Sequence, residues 1–141
     1  MAQVGLLEDN PRIAKLCATF LDFAGHRVVH YRHPRECLEA LRVEKPAAEK
    51  AAVSEVDGQA SEALPIDILI LDLYMPDMPG EDVLRQLRAH PRTRNLPLIL
   101  CTAAPASEIE QAKSIAPRAI VVEKPFKLQT LTAAIDALMR S

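Results

Sequence analysis

A chain of 141 residues, 49% of them hydrophobic and carrying a formal net charge of -2, has the length for one domain and enough apolar content to fold unaided. That balance excludes a disordered segment and a polyanion-binding surface. No apolar run approaches the length of a membrane span, and Glu8 and Asp9 arrive too early for a secretory leader.

In chain order, Gln3 to Leu7 is a short apolar run that predicts a first strand, ending in the acidic pair Glu8-Asp9. Asn10-Pro11 has the form of a helix N-cap followed by proline at the first helical position. Ile13, Leu16, Cys17, Phe20 and Leu21 recur at helical spacing, and Gly25 is a natural stop. Arg27-Val-Val-His-Tyr31 predicts the second strand, and a second helix begins near Pro34 with Cys37, Leu38 and Leu41 inward.

Glu44 to Leu64 breaks the rhythm: six alanines, a Lys45-Pro46 step and an Asp57-Gly58 turn signal, with almost nothing large and apolar. It is expected to be an exposed insertion whose first half is partly helical. The third strand follows in Ile66-Asp-Ile-Leu-Ile-Leu71, a β-branched run suited to burial on both faces, closed by Asp72. Pro76, Pro79 and Gly80 then restrict the loop beyond it.

The pattern predicts a third helix from about Glu81 to Ala89, a strand over Leu96 to Cys101 with Thr102 at its end, and a fourth helix from Ser107, as cap, to Ile115. Ala119 to Val122 reads as a fifth strand running into Glu123-Lys124-Pro125-Phe126. The last helix covers Leu128 to Met139, with Leu131, Ile135, Leu138 and Met139 along one stripe. Strands alternating with helices predict an α/β fold with one parallel sheet and crossover helices.

The three cysteines (Cys17, Cys37, Cys101) are odd in number and widely spaced, so neither a disulfide framework nor a zinc site is implied, and a reducing cytoplasm is expected. His26, His30, His33 and His90 read as surface or strand-edge residues.

In a parallel sheet every strand's carboxyl end lies along one edge. Glu8, Asp9, Asp72, Thr102 and Lys124 would therefore converge there. Three neighbouring carboxylates repel, and a divalent cation is the simplest reason to gather them. Oxygen donors without His or Cys select Mg2+ or Mn2+. Lys124 and Thr102 supply a positive charge and a neutral donor, both suited to holding a phosphoryl group.

With these residues the sequence resembles the receiver domains of two-component response regulators. The resemblance rests on Glu8-Asp9, the block Asp72-Leu-Tyr-Met-Pro-Asp-Met-Pro-Gly80, Thr102-Ala103 and Lys124-Pro125-Phe126, and covers residues 1–141 apart from the insertion at about 44–64. It implies a flavodoxin-like, doubly wound sheet of five strands in the order 2-1-3-4-5 with helices on both faces. It further implies that Asp72 is the phosphoacceptor for a histidine kinase or histidine phosphotransfer protein. Asp9 would bind Mg2+ directly, Glu8 mostly through water, and Asp72 and the Tyr74 backbone carbonyl would complete the protein ligands.

Lys124 would pair with the phosphoryl oxygens, Thr102 would move towards them, and the Lys124-Pro125 bond would be cis. The output would be a protein target met through the face of the fourth helix, fifth strand and fifth helix, with no nucleic acid or membrane contact. No output domain is expected on the chain. Such a domain is no enzyme beyond self-phosphorylation from small donors and self-dephosphorylation. Two departures stand out: the insertion, and Val121, where the family usually carries Tyr or Phe. The alternatives are a phosphorylation-independent docking module and, with an Asp nucleophile and Mg2+, a small phosphatase of the haloacid-dehalogenase type, against which stands Tyr74 in place of that class's second aspartate.

Overall fold

The computed structural model describes residues 2–42, 64–75, 78–124 and 127–140. The expected insertion, the Pro76-Asp77 part of the loop after Asp72 and the Lys124-Pro125 linkage fall outside those residues, except for Leu64, Lys124 and their described neighbours. The elements are β1 (Gln3–Leu7), α1 (Pro11–Phe23), β2 (Arg27–Tyr31), α2 (Pro34–Leu41), β3 (Ile68–Leu71), α3 (Gly80–Ala89), β4 (Leu98–Thr102), α4 (Ala106–Ile115), β5 (Ile120–Glu123) and α5 (Leu128–Arg140). The sheet has five strands in the order β2-β1-β3-β4-β5, all paired in parallel.

Period-two alternation sorts each strand between two cores. Leu7, Leu69, Leu71, Leu98 and Leu100 face α2, α3 and α4. Val4, Leu6, Ile68, Ile70, Ile99, Cys101 and Val122 face α1 and α5. β3 is wholly buried because it lies in the middle of the sheet with helices on both sides. At roughly 1.5–3 kcal/mol for each large side chain removed from water, this central strand is the best-anchored part of the fold. α4 is the opposite, with Ala112 its one fully buried residue.

Local signals account for most boundaries. Asn10 caps α1, its Oδ1 accepting from Arg12 N–H at 2.9 Å and Ile13 N–H at 3.3 Å. Gly25 follows α1 at a φ of 98°, a left-handed turn that costs other residues more. Several expectations need correction. β4 starts at Leu98, since Pro97 has no N–H and Leu96 N–H bonds to Thr93 O at 3.0 Å instead. β4 also includes Thr102 itself. Pro105, not Ser107, precedes α4, and its carbonyl takes the amides of Glu108 and Ile109.

Two residues of the predicted apolar stripes are open to water: Leu16 is 60% exposed and Met139 44%. His26 is buried rather than superficial, and its Nδ1 accepts Ala2 N–H at 3.1 Å. Among the described residues no helix is long and apolar enough to cross a membrane.

Candidate phosphoacceptor site

The register places the candidate site. Leu7 pairs with Leu71, so the residues that follow them, Glu8 and Asp72, emerge side by side from the carboxyl edge. Leu7 and Leu71 face the α2–α4 core, and alternation turns Glu8 and Asp72 towards the α1–α5 side. Lys124, two residues beyond Val122, joins them. Its Nζ lies 2.8 Å from Asp72 Oδ2 and 3.2 Å from Glu8 Oε1.

All three groups are largely removed from water: Lys124, Glu8 and Asp72 keep 18%, 6% and 10% of their side-chain exposure. Burial is therefore the leading electrostatic influence. It pushes the Glu8 carboxyl above its ordinary range, against the opposing pull of the Asn10 amide and of Lys124. For Lys124 burial works the other way, but the bonds and charges of Asp72 and Glu8 outweigh it and raise the ammonium pKa.

The remaining acceptor atoms are oriented by backbone. Tyr74 N–H donates to Asp72 Oδ1 at 3.0 Å, and Asn10 N–H donates to Glu8 Oε2 at 3.2 Å. The Glu8 main chain is pinned as well: its N–H donates to Tyr31 O at 3.2 Å, and its carbonyl meets His30 Nε2 at 2.8 Å. A carbonyl only accepts, so His30 is the donor there. Thr102 is fully buried, and its Oγ1 accepts Ala104 N–H at 3.1 Å, while its carbonyl accepts Lys124 N–H at 2.9 Å. The last bond ties the end of β4 to the residue that carries the site's ammonium.

Of the predicted residues, Glu8, Asp72 and Lys124 are brought together, with Thr102 at the end of the neighbouring strand. Asp9 is not drawn in. It is exposed, and among the described residues no set of three acidic, His or Cys side chains forms a metal-holding group. Glu8 and Asp72 are buried beside Lys124, while Asp9, the next residue after Glu8, lies at the surface. Tyr74 is half exposed, at 50%.

The donor set still suits a hard divalent ion in kind. Two buried carboxylates share one ammonium, leaving a net negative charge at the edge, with a third carboxylate at the next residue. The thiols beneath are no competitors: burial pushes Cys101 up to about 12 and also raises Cys17, so both are protonated and poor ligands.

Sequence reasoning passed over His30 and the Asn10 amide. Only His30 had a signal: it is the penultimate residue of a strand that pairs in register with β1.

The model of the response regulator receiver domain family matches residues 4–136. The chain belongs to that family. Among curated relatives, the phosphate regulon transcriptional regulatory protein PhoB of Rhizobium meliloti is 38% identical over 87 residues, 61% of this chain and 37% of its own length. The DNA-binding dual master transcriptional regulator RpaA of Synechocystis is 26% identical over 141 residues, covering 99% of this receiver and 50% of the relative. The receiver thus spans half or less of the length of these two relatives. In fold it is similar to the Vibrio cholerae chemotaxis protein CheY4, with a TM-score of 0.72 at 23% identity, covering 97% of this chain and 98% of that one. Receiver domains of this family generally act as non-enzymatic switches that bind Mg2+ at their phosphorylation site and work between histidine kinases and downstream targets.

Proposed function

We propose that this receiver is a Mg2+-dependent phosphoacceptor switch in which Asp72 takes a phosphoryl group from a histidine kinase or a histidine phosphotransfer protein. The observation that carries the reading is the single ammonium of Lys124 held between Asp72 and Glu8 at 2.8 and 3.2 Å. A structural ion pair needs one carboxylate. The second, buried and with its pKa raised, costs stability, and a phosphoryl-transfer site gives it a purpose.

In the transfer, an oxygen of the Asp72 carboxylate attacks phosphorus as the bond to the donor's nitrogen breaks. The electron pair leaves with the donor imidazole, and an acyl phosphate remains on Asp72. Asp9, Asp72 and the Tyr74 carbonyl would hold Mg2+, with Glu8 acting through water, and the ion would neutralise charge on the phosphoryl oxygens.

The chain's own groups do the rest. Lys124 passes from the carboxylate to a phosphoryl oxygen without leaving the pocket, since its amide stays fixed to β4. Tyr74 N–H orients the nucleophile, which favours in-line attack. Thr102 Oγ1 accepts from Ala104 N–H in the unmodified protein, so its own proton is available to a phosphoryl oxygen. The partner of the modified form would meet the α4–β5–α5 face, and the domain would work in the cytoplasm.

The test is intact-mass measurement after incubation with acetyl phosphate, with Mg2+ and with chelator. One added phosphoryl group is expected in the wild type with Mg2+, and none in Asp72→Asn or with chelator. Equal uptake by both proteins would overturn the assignment of Asp72. Steady release of phosphate from a phosphomonoester would point to the phosphatase instead.

A further inference from the structure

The amino edge of the sheet, opposite the candidate phosphoacceptor, carries a concentration of charge of its own. Residues 83–107 and 111–122 hold five arginines and one lysine, with no Asp or Glu. Arg85 is compensated from the preceding turn, 3.8 Å from Glu81 and 3.4 Å from Asp82. The other cations gather around the loops leading into β4 and β5. Ile99 pairs with Ile120, which sets those two loops side by side, and α3 and α4 pack together above them.

Arg88 and Lys113 stand in the last turns of α3 and α4, where a cation suits the helix dipole. Each also braces a loop. Arg88 Nη1 donates to Thr93 O at 3.1 Å and Arg94 O at 2.7 Å. Lys113 Nζ donates to Pro117 O at 3.2 Å and Ala119 O at 2.7 Å, either side of Arg118. The side chains these loops present, Arg94 and Arg118, are exposed. Among the described residues no carboxylate pairs with Arg88, Arg94, Lys113 or Arg118. Burial, and then the charge of Arg118, lower the Arg88 pKa. The fold thus tolerates repulsion that an acid in either loop would relieve.

We propose that this edge is a docking surface for the sugar–phosphate backbone of duplex DNA, independent of the state of Asp72. Guanidinium groups match phosphate oxygens in shape and charge. The exposed large hydrophobic side chains, Leu16, Phe23, Tyr74 and Met139, all belong to other elements. The edge therefore lacks the apolar core of a protein interface and the aromatic platforms on which single strands stack. What it offers is charge, which reads phosphates without regard to sequence. The sequence leads to the opposite expectation, because a net charge of -2 is an average that conceals a basic edge among acids placed elsewhere.

The experiment is fluorescence anisotropy of a short labelled DNA duplex titrated with the full chain. A Kd of about 10⁻⁵ M is expected at about 50 mM salt, with log K falling against log salt at a slope of about -3, as for about three phosphate contacts. Arg94→Glu with Arg118→Glu should weaken binding by about tenfold, and the gentler Arg94→Gln with Arg118→Gln by about threefold. The loop bonds are made by main-chain carbonyls, so both variants should melt cooperatively. Arg12→Glu with Lys15→Glu makes the same change in net charge on α1 and should alter Kd by less than about twofold, since the sites lie beyond effective screening.

No binding by about 10⁻⁴ M protein would overturn the proposal, as would equal losses in the two Glu double variants. Displacement of the duplex by polyglutamate as readily as by unlabelled duplex would assign the edge to an acidic protein segment instead. Tighter binding of a single strand than of the duplex would likewise overturn it.

Discussion

Gly80 rests its bare Cα on the backbone of Leu73. A methyl group at Gly80 would lie 2.5 Å from the Leu73 Cα and 3.0 Å from its carbonyl oxygen, the same oxygen that accepts Gly80 N–H at 3.1 Å. The start of α3 is thereby docked onto the residue that follows Asp72. Backbone cannot step aside as a flexible side chain can. Gly80→Ala should therefore lower stability by about 2 kcal/mol, in the range of an overpacked core, and urea unfolding measures it. A loss below a few tenths would mean that the loop relaxes freely.

Asn10 has two tasks: its side chain caps α1 and its amide holds Glu8 Oε2. Asn10→Ala keeps the amide and removes the cap, at an expected cost of about 1 kcal/mol. Asn10→Asp restores a capping oxygen and should recover most of that loss. If both variants melt with the wild type, the cap contributes nothing.

Glu8 is predicted to cost stability at neutral pH. Its folded-state pKa is raised, mainly by burial, so the native state holds a proton that the unfolded state has released. Stability then falls as pH rises from the ordinary glutamate value through the folded one, and the loss is complete above that. Glu8→Gln imitates the protonated form. Its melting temperature should exceed wild type at pH 7, with the gap closing as pH falls towards 4.5, the ordinary glutamate value. A gap independent of pH would rule out this origin.

Lys124→Met leaves Glu8 and Asp72 facing each other without the ammonium that both contact. Breaking a largely buried pair typically costs 3–5 kcal/mol; partial solvent access reduces the expectation here to about 2. The raised pKa of Lys124 means its contribution is fully present below the ordinary lysine value and lost as pH rises through the folded one. In the variant Glu8 regains stability by binding a proton, so the deficit should be large at pH 8 and small at pH 5. Urea melts at the two pH values decide it, and a constant deficit would assign the loss to packing.

How far the chain could be read in advance varies with the residue. Gln3–Leu7 and Arg27–Tyr31 were legible to the residue, because each apolar run is closed by a turn signal. Leu96 looked like strand from its side chain, but pairing belongs to the backbone, and Pro97 withholds the donor. Leu16 shares the helical period of its neighbours yet lies on the margin of the stripe, where periodicity does not separate inside from outside.

At the site, spacing after each strand picked out Glu8, Asp72, Thr102 and Lys124. It could not say which of the two adjacent acids would be buried; Glu8 is, and Asp9 is exposed. The bond of His30 to Glu8 joins segments far apart in the chain, and nothing local announces it.

The three thiols have a practical consequence. Cys17 lies in α1, Cys37 in α2 and Cys101 in β4 below the site, all buried and unpaired. Burial raises each pKa, up to about 12 for Cys37 and Cys101. Alkylating reagents attack thiolates, so the folded chain should be nearly inert to them, and labelling will proceed only as fast as each layer opens. One protein thus carries three native clocks: one on each face of the sheet and one under the Asp72 carboxylate. Brief alkylation followed by peptide mass mapping would time the breathing of α1, α2 and β4 separately, with no introduced probe.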